Sequence, residues 1–185
     1  MELIETPLKD CVILQPQVFK DNRGYFFESY NAAKVNQLLG RKVDFVQDNQ
    51  SKSTYGVLRG LHFQKGEHAQ AKLVRVLEGS VLDVAVDLRP DSPSFGKWHS
   101  VELSDENNTQ FYVPRGFAHG FVVLSPTAVF AYKCDNGYNK ASEGGLLYND
   151  PTLNIDWKVA PKDVVLSDKD QVNPKFSELE CDRLW

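Results

Sequence analysis

Residues 72–78, Lys72-Leu-Val-Arg-Val-Leu-Glu78, and 81–88, Val81-Leu-Asp-Val-Ala-Val-Asp-Leu88, are separated by little more than Gly79. In the second run Leu82, Val84, Val86 and Leu88 fall on one face and Asp83 and Asp87 on the other, the period-two alternation of a strand. Both runs therefore read as strands, and the Glu-Gly-Ser junction at 78–80 predicts a tight turn joining them as a hairpin. Working outward, further strands are predicted at 11–19, 25–30, 43–50, 56–63, 98–103, 110–113, 119–124 and 128–135. Punctuation of the kind seen at Arg-Pro-Asp-Ser-Pro (89–93) and Val-Pro-Arg-Gly (113–116) separates most of them. Many short strands at this spacing indicate an antiparallel sandwich or barrel. Helix is confined to small pieces. One spans 31–39, opened by Asn31, closed by Gly40 and carrying Val35, Leu38 and Leu39 on one face; a second begins near Ser167.

The 185 residues suffice for one domain over 1–185, with 42% hydrophobic and 25% charged residues. A net charge of −4 gives no basic surface for nucleic acid, and no apolar run approaches a membrane span. The N-terminus carries no secretory pattern, and Cys11, Cys134 and Cys181 are scattered and odd in number. Those features lead to a cytoplasmic location and speak against a disulfide framework or a thiolate metal site.

Among four histidines, His62 lies in the apolar run Val57-Leu-Arg-Gly-Leu-His-Phe-Gln64, and His119 enters another apolar strand. Histidines in such places are commonly hydrogen-bonded core residues. His68 and His99 have polar surroundings and read as surface residues. Cations near His62 raise the odds of chemistry there, with Arg59 three residues earlier and Lys72 opening the next strand. Gly60 predicts a bulge that would turn Arg59 and His62 to one face. Inward cations need an anionic partner, either a carboxylate such as Asp83 or Glu28, or an anionic ligand. A metal is disfavoured: jelly-roll barrels often hold one on a His-x-His, Glu and His set, whereas here Phe63-Gln64 follows His62 and Lys72 stands downstream. Tyr132 shares a face with Ala128, Phe130 and Cys134, the pattern of a core tyrosine, whereas Tyr138 sits in a polar loop where its ring could stack on a base. Phe26 and Glu28 are expected on one strand face, and Gln47 and Asn49 on another.

Seven segments then match one family in order. They are Phe19-Lys-Asp-Asn-Arg-Gly-Tyr-Phe-Phe-Glu-Ser29, Phe45-Val-Gln-Asp-Asn-Gln-Ser51, Val57–Gln64, Asp83-Val-Ala-Val-Asp87, Pro114-Arg-Gly-Phe-Ala-His-Gly-Phe121, Tyr132-Lys-Cys134 and Leu166-Ser-Asp-Lys-Asp170. Together they resemble the dTDP-4-dehydrorhamnose 3,5-epimerases, the RmlC-type cupins. The resemblance implies an all-β cupin jelly-roll barrel with a few short peripheral helices, a homodimer without metal or other cofactor. It implies a dTDP-4-keto-6-deoxy sugar as substrate, inverted at C3 and C5 in dTDP-L-rhamnose biosynthesis. By position, the resemblance makes His62 the base, Asp170 its orienting carboxylate, Tyr132 the acid and Lys72 the stabiliser of the enolate oxygen, with Arg59 assisting binding. Arg23, Glu28, Gln47, Asp48, Asn49, His119, Glu143 and Lys169 match nucleotide-sugar contacts, and His119 is expected to pair with Asp83 across the barrel. Tyr138 matches a thymine-stacking ring, and Phe19 and Phe26 match the nucleotide end. The alternatives are a single-position epimerase or ketoisomerase on a related sugar, a non-catalytic nucleotide-sugar-binding cupin and a metal-dependent cupin.

Overall fold

The computed structural model describes residues 1–185. Its strands are β1 (Glu2–Glu5), β2 (Val12–Gln15), β3 (Phe19–Asp21), β4 (Gly24–Phe26), β5 (Gln47–Thr54), β6 (Leu58–Gln64) and β7 (Lys72–Glu78), followed by β8 (Ser80–Asp87), β9 (Trp98–Ser104), β10 (Gln110–Val113), β11 (Phe117–Val123), β12 (Thr127–Cys134) and β13 (Glu143–Gly145). One sheet runs β1-β2-β10-β7-β12-β5 and a second β13-β6-β11-β8-β9, with every neighbouring pair antiparallel. The two sheets face each other as a jelly-roll barrel, and β3 and β4 form a separate two-stranded hairpin.

The expected hairpin of 72–78 with 81–88 does not form. β7 pairs with β10 and β12 in the first sheet, and β8 pairs with β11 and β9 in the second. The turn at Gly79 instead carries the chain from one sheet to the other. Gly79 has φ +78°, and a Cβ there would meet the Thr127 carbonyl oxygen at 2.1 Å, so glycine is needed both for the turn and for the close approach. A tight turn reports that the chain reverses, not which strand it then pairs with.

The alternation in β8 holds. Val81 and Ala85 join Val74, Val76, Phe111, Phe121 and Phe130 between the sheets. Leu82, Val84 and Val86 pack outward beneath the C-terminal segment, against Leu146, Leu153, Trp157, Cys181 and Leu184. Strand β8 is consequently covered on both faces. The long coverlet after β13 is tied down by Asp150, a buried carboxylate that accepts from the backbone N–H groups of Thr152, Leu153 and Phe176.

The helix α1 (Ala32–Leu39) forms as expected. Asn31 accepts from the Lys34 N–H at its start, Gly40 closes it at φ +64°, and Val35 is its buried anchor against the outside of the first sheet. The helix expected near Ser167 is absent; only single 3₁₀ turns occur at Phe176–Glu178 and Cys181–Arg183. The predicted strand 11–19 breaks at Pro16, which has no N–H for the ladder, and its remaining part, β2, lies between β1 and β10. The strand at 25–30 ends at Phe26, so Glu28 lies beyond it. The strand expected at 43–50 starts at Gln47.

Candidate active site

The bulge predicted at Gly60 is present. His119 pairs with His62 but Phe121 with Arg59, so two steps on β11 match three on β6. Gly60 and Gly120 make this possible: a Cβ on Gly60 would come within 2.6 Å of the Gly120 Cα. Arg59 and His62 thereby face one cavity of about 530 Å³ between the sheets. Tyr132 from β12, Lys72 from β7 and Asn49 from β5 line it from the first sheet. His62, Arg59 and His119 line it from the second, and Lys169 and Asp170 from the 165–170 loop. A smaller annex of about 170 Å³ continues from His62, Lys72, Asn49 and Tyr132 to Gln47, Tyr138 and Glu143. A groove of about 620 Å³ beside β1 and the end of α1 is lined by neither histidine nor tyrosine.

The His62 Nε2–H donates to Asp170 Oδ1 at 2.6 Å, which leaves Nδ1 without a protein partner. The Asp170 loop is positioned by a short parallel bridge, in which the Leu58 N–H donates to the Val165 carbonyl and the Val165 N–H to that of Gly56. The Ser167 hydroxyl then accepts from the Asp170 N–H at 3.2 Å. Burial works to raise the Asp170 carboxyl, but the His62 hydrogen bond and charge, with Ser167, prevail and hold it below the ordinary range.

His119 donates to both Asp83 oxygens, at 2.8 and 3.0 Å, but from the adjacent strand of the same sheet rather than across the barrel. Burial pushes the His119 imidazole down and the Asp83 carboxyl up, each against the attraction of the other. Lys72 lies inside the barrel with its Nζ 5.8 Å from the Tyr132 ring centre, and loss of water lowers its ammonium pKa. Burial raises the Tyr132 phenol, and the Cys134 thiol beside it adds to the effect while the Arg59 charge opposes it.

At the mouth, the Gln47 amide donates to Asn49 Oδ1 at 3.0 Å, so these two do share a face. Glu143 accepts from the Tyr138 hydroxyl at 3.2 Å and pairs with Lys169. The remaining sequence candidates are not brought here. Asp48 points to the outside of β5, where Lys133 holds it at 2.9 Å. Glu28 is tied to Lys34 and Asn31 at the start of α1, and Arg23 to Asp21 at the hairpin tip. Phe19 and Phe26 face each other on that hairpin, 56% and 71% exposed. His99 is not a surface residue; it is half-buried on β9 against Phe111. Sequence reasoning missed Ser53, Ser167 and the stacked Phe121–Phe130 pair at 4.1 Å; only the apolar alternation of β11 and β12 hinted at the last. No group of three histidine, cysteine or acidic side chains is arranged to share a cation, and no helix is long and apolar enough to cross a membrane.

The carboxylates foreseen as partners for the inward cations are thus committed elsewhere, Asp83 to His119 and Glu28 to Lys34. Arg59 and Lys72 form no ion pair and face the cavity uncompensated.

Comparison with known proteins agrees with this geometry. The family model described as dTDP-4-dehydrorhamnose 3,5-epimerase matches residues 5–178. A dTDP-4-dehydrorhamnose 3,5-epimerase of Shigella flexneri is 52% identical over 97% of this chain and 98% of its own. The crystal structure of the enzyme of that name from Elizabethkingia anophelis superposes with a TM-score of 0.93 at 63% identity, covering 100% of this chain and 99% of that one. The Legionella pneumophila RmlC structure, in complex with dTDP-4-keto-L-rhamnose, superposes with a TM-score of 0.94 at 48% identity, over 99% and 96% of the two chains. A barrel of this topology, matched along nearly its whole length, belongs to an isomerase of the dTDP-4-dehydrorhamnose 3,5-epimerase family.

Proposed function

We propose that the chain inverts C3 and C5 of dTDP-4-dehydro-6-deoxy-D-glucose to give dTDP-4-dehydro-L-rhamnose, through enolates of the C4 ketone. The observation that carries this reading is the cavity with two uncompensated cations, Arg59 and Lys72, beside a His62–Asp170 pair and a protonated tyrosine. Uncompensated cations fit an anionic ligand, and a histidine–carboxylate pair opposite a phenol fits proton transfer on it.

The chemistry follows from where the sheets put each group. C3 and C5 both flank the C4 ketone, so loss of a proton from either places negative charge on the ketone oxygen. His62 on the second sheet takes the proton through Nδ1 while Asp170 fixes the tautomer and favours the imidazolium. Lys72 on the first sheet stabilises the enolate oxygen inside the barrel, where reduced solvation strengthens the attraction between ammonium and oxyanion. Tyr132, also on the first sheet, returns a proton from the face opposite His62, and its raised pKa keeps it protonated at neutral pH. Base and acid on opposing sheets are the arrangement that inversion of a ring carbon requires.

Asn49, His119, Lys169 and Arg59 line the same cavity and Gln47, Tyr138 and Glu143 the annex, so we assign them to the nucleotide-sugar. Arg23, Glu28, Phe19 and Phe26 line neither the cavity nor its annex. A substrate contact for them requires a second copy, which is the reason to propose a homodimer. Proton NMR of the substrate with the purified protein in heavy water tests the function. Loss of both the C3 and C5 signals supports the double epimerase; loss of one reassigns it to a single-position epimerase; loss of neither removes the catalytic reading.

A further inference from the structure

Arg59 is held in an unusual way for an arginine at a ligand cavity. Its Nε–H donates to the Ser53 hydroxyl at 3.1 Å, and no carboxylate pairs with its guanidinium. Ser53 is buried on β5, on the inward-facing row that Asn49 and Ser51 share, and its backbone is fixed by pairing opposite Ala128 on β12. A neutral acceptor on a paired strand orients the fork without neutralising it. An aspartate in the same place would orient it equally well but would cancel the charge that an anionic ligand needs. The Nε bond also occupies the donor nearest the stem, leaving both terminal nitrogens for the ligand.

We infer that Ser53 is a positioning residue that aims the Arg59 guanidinium at the anionic portion of the substrate. This rests on the nucleotide-sugar reading above and adds to it the residue that pre-orients the binding cation. Pre-orientation reduces the side-chain freedom lost on binding, so its effect belongs in affinity. The rotamer of a long, otherwise untethered side chain is what Ser53 controls, and the proton-transfer groups His62 and Tyr132 make no hydrogen bond to it.

The test is a double-mutant cycle with thymidine diphosphate binding followed by calorimetry, and with kcat and KM measured on the nucleotide-sugar. Ser53→Ala is expected to weaken thymidine diphosphate binding and raise KM about three- to tenfold with kcat held within about twofold. In an Arg59→Gln background, Ser53→Ala is expected to add nothing, because the serine acts only through the arginine. Ser53→Thr and Ser53→Val, which differ only in hydroxyl against methyl, separate the hydrogen bond from packing should alanine perturb the strand. Threonine should bind several-fold more tightly than valine. Equal affinities for threonine and valine, or an undiminished effect of Ser53→Ala in the Arg59→Gln background, overturn the inference. If Arg59→Gln itself leaves thymidine diphosphate binding unchanged, it is the anionic-ligand reading of Arg59 that fails, and the inference about Ser53 fails with it.

Discussion

His62 Nε2 stands 2.6 Å from Asp170 Oδ1 although 108 residues separate them in the chain. The contact joins β6 of the second sheet to a loop carried in by the C-terminal coverlet, so the proposed base and its carboxylate meet only once the barrel is closed and covered. His62→Ala should abolish exchange at both carbons, a loss of about 10²-fold or more, with the fold intact by circular dichroism. Asp170→Asn, which keeps the shape but not the charge, should slow both exchanges together. Retention of deuterium exchange in His62→Ala would remove histidine from the role of base.

Tyr132 is expected to act after His62. Tyr132→Phe keeps the ring that packs beside Phe130 and deletes only the hydroxyl, so the barrel should be undisturbed. Deuterium should still enter the substrate, while completed inversion falls, most at C5. Trapping the product with the following reductase measures completion, and wild-type product yield in the variant would refute the acid role.

The pH profile should separate Lys72 from Tyr132. Burial lowers the lysine and raises the phenol, which draws loss of the ammonium toward neutral pH and pushes loss of the phenol proton away from it. The alkaline limb of kcat should therefore lie below the ordinary lysine value of about 10.4. Lys72→Arg keeps a charge that does not titrate in this range, and the limb should move upward even if the maximal rate falls. A limb at an unchanged pH in Lys72→Arg would assign it to another group.

How much of this was legible before folding depends on the range of the signal. The alternation in β8 correctly put Asp83 on the opposite face from Leu82, Val84 and Val86, because a pleat imposes that pattern on any strand; that the aspartate side faces the barrel interior emerges only from the fold. Gly60 announced its bulge for a similarly local reason. The partner of β8 was misread because Gly79 specifies a turn, whereas pairing is decided by which strands the two sheets gather around the common core. At the site, Arg59, His62 and Lys72 could be suspected from their positions in and around one apolar run. The link from His62 to Asp170 was visible only through family resemblance, since no local pattern encodes a contact at that separation. Ser53 gave no signal at all: it falls between the strands predicted at 43–50 and 56–63, and only the extension of β5 to Thr54 brings its hydroxyl to Arg59.

Stability at the end of β8 should depend on acid through Asp87. Its side chain has no exposed surface and is met by the Arg89 guanidinium at 2.8 Å and by the hydroxyls of Ser92 and Ser94 at 2.5 and 2.6 Å. Burial works to raise its carboxyl, but these bonds prevail and lower it below the ordinary range. A carboxyl depressed on folding contributes stability that is present above its unfolded value, about 3.9, and is lost as pH falls through the depressed one. Asp87→Asn should therefore cost about 2 kcal/mol at neutral pH, where it leaves Arg89 with Asp10 as its remaining ionic partner. The gap between variant and wild type should narrow as pH drops below about 4, because the wild-type carboxylate is then being protonated as well. Urea denaturation at a series of pH values reads this directly. A gap that stays constant into acid would show that the cluster holds the barrel end by shape rather than by charge.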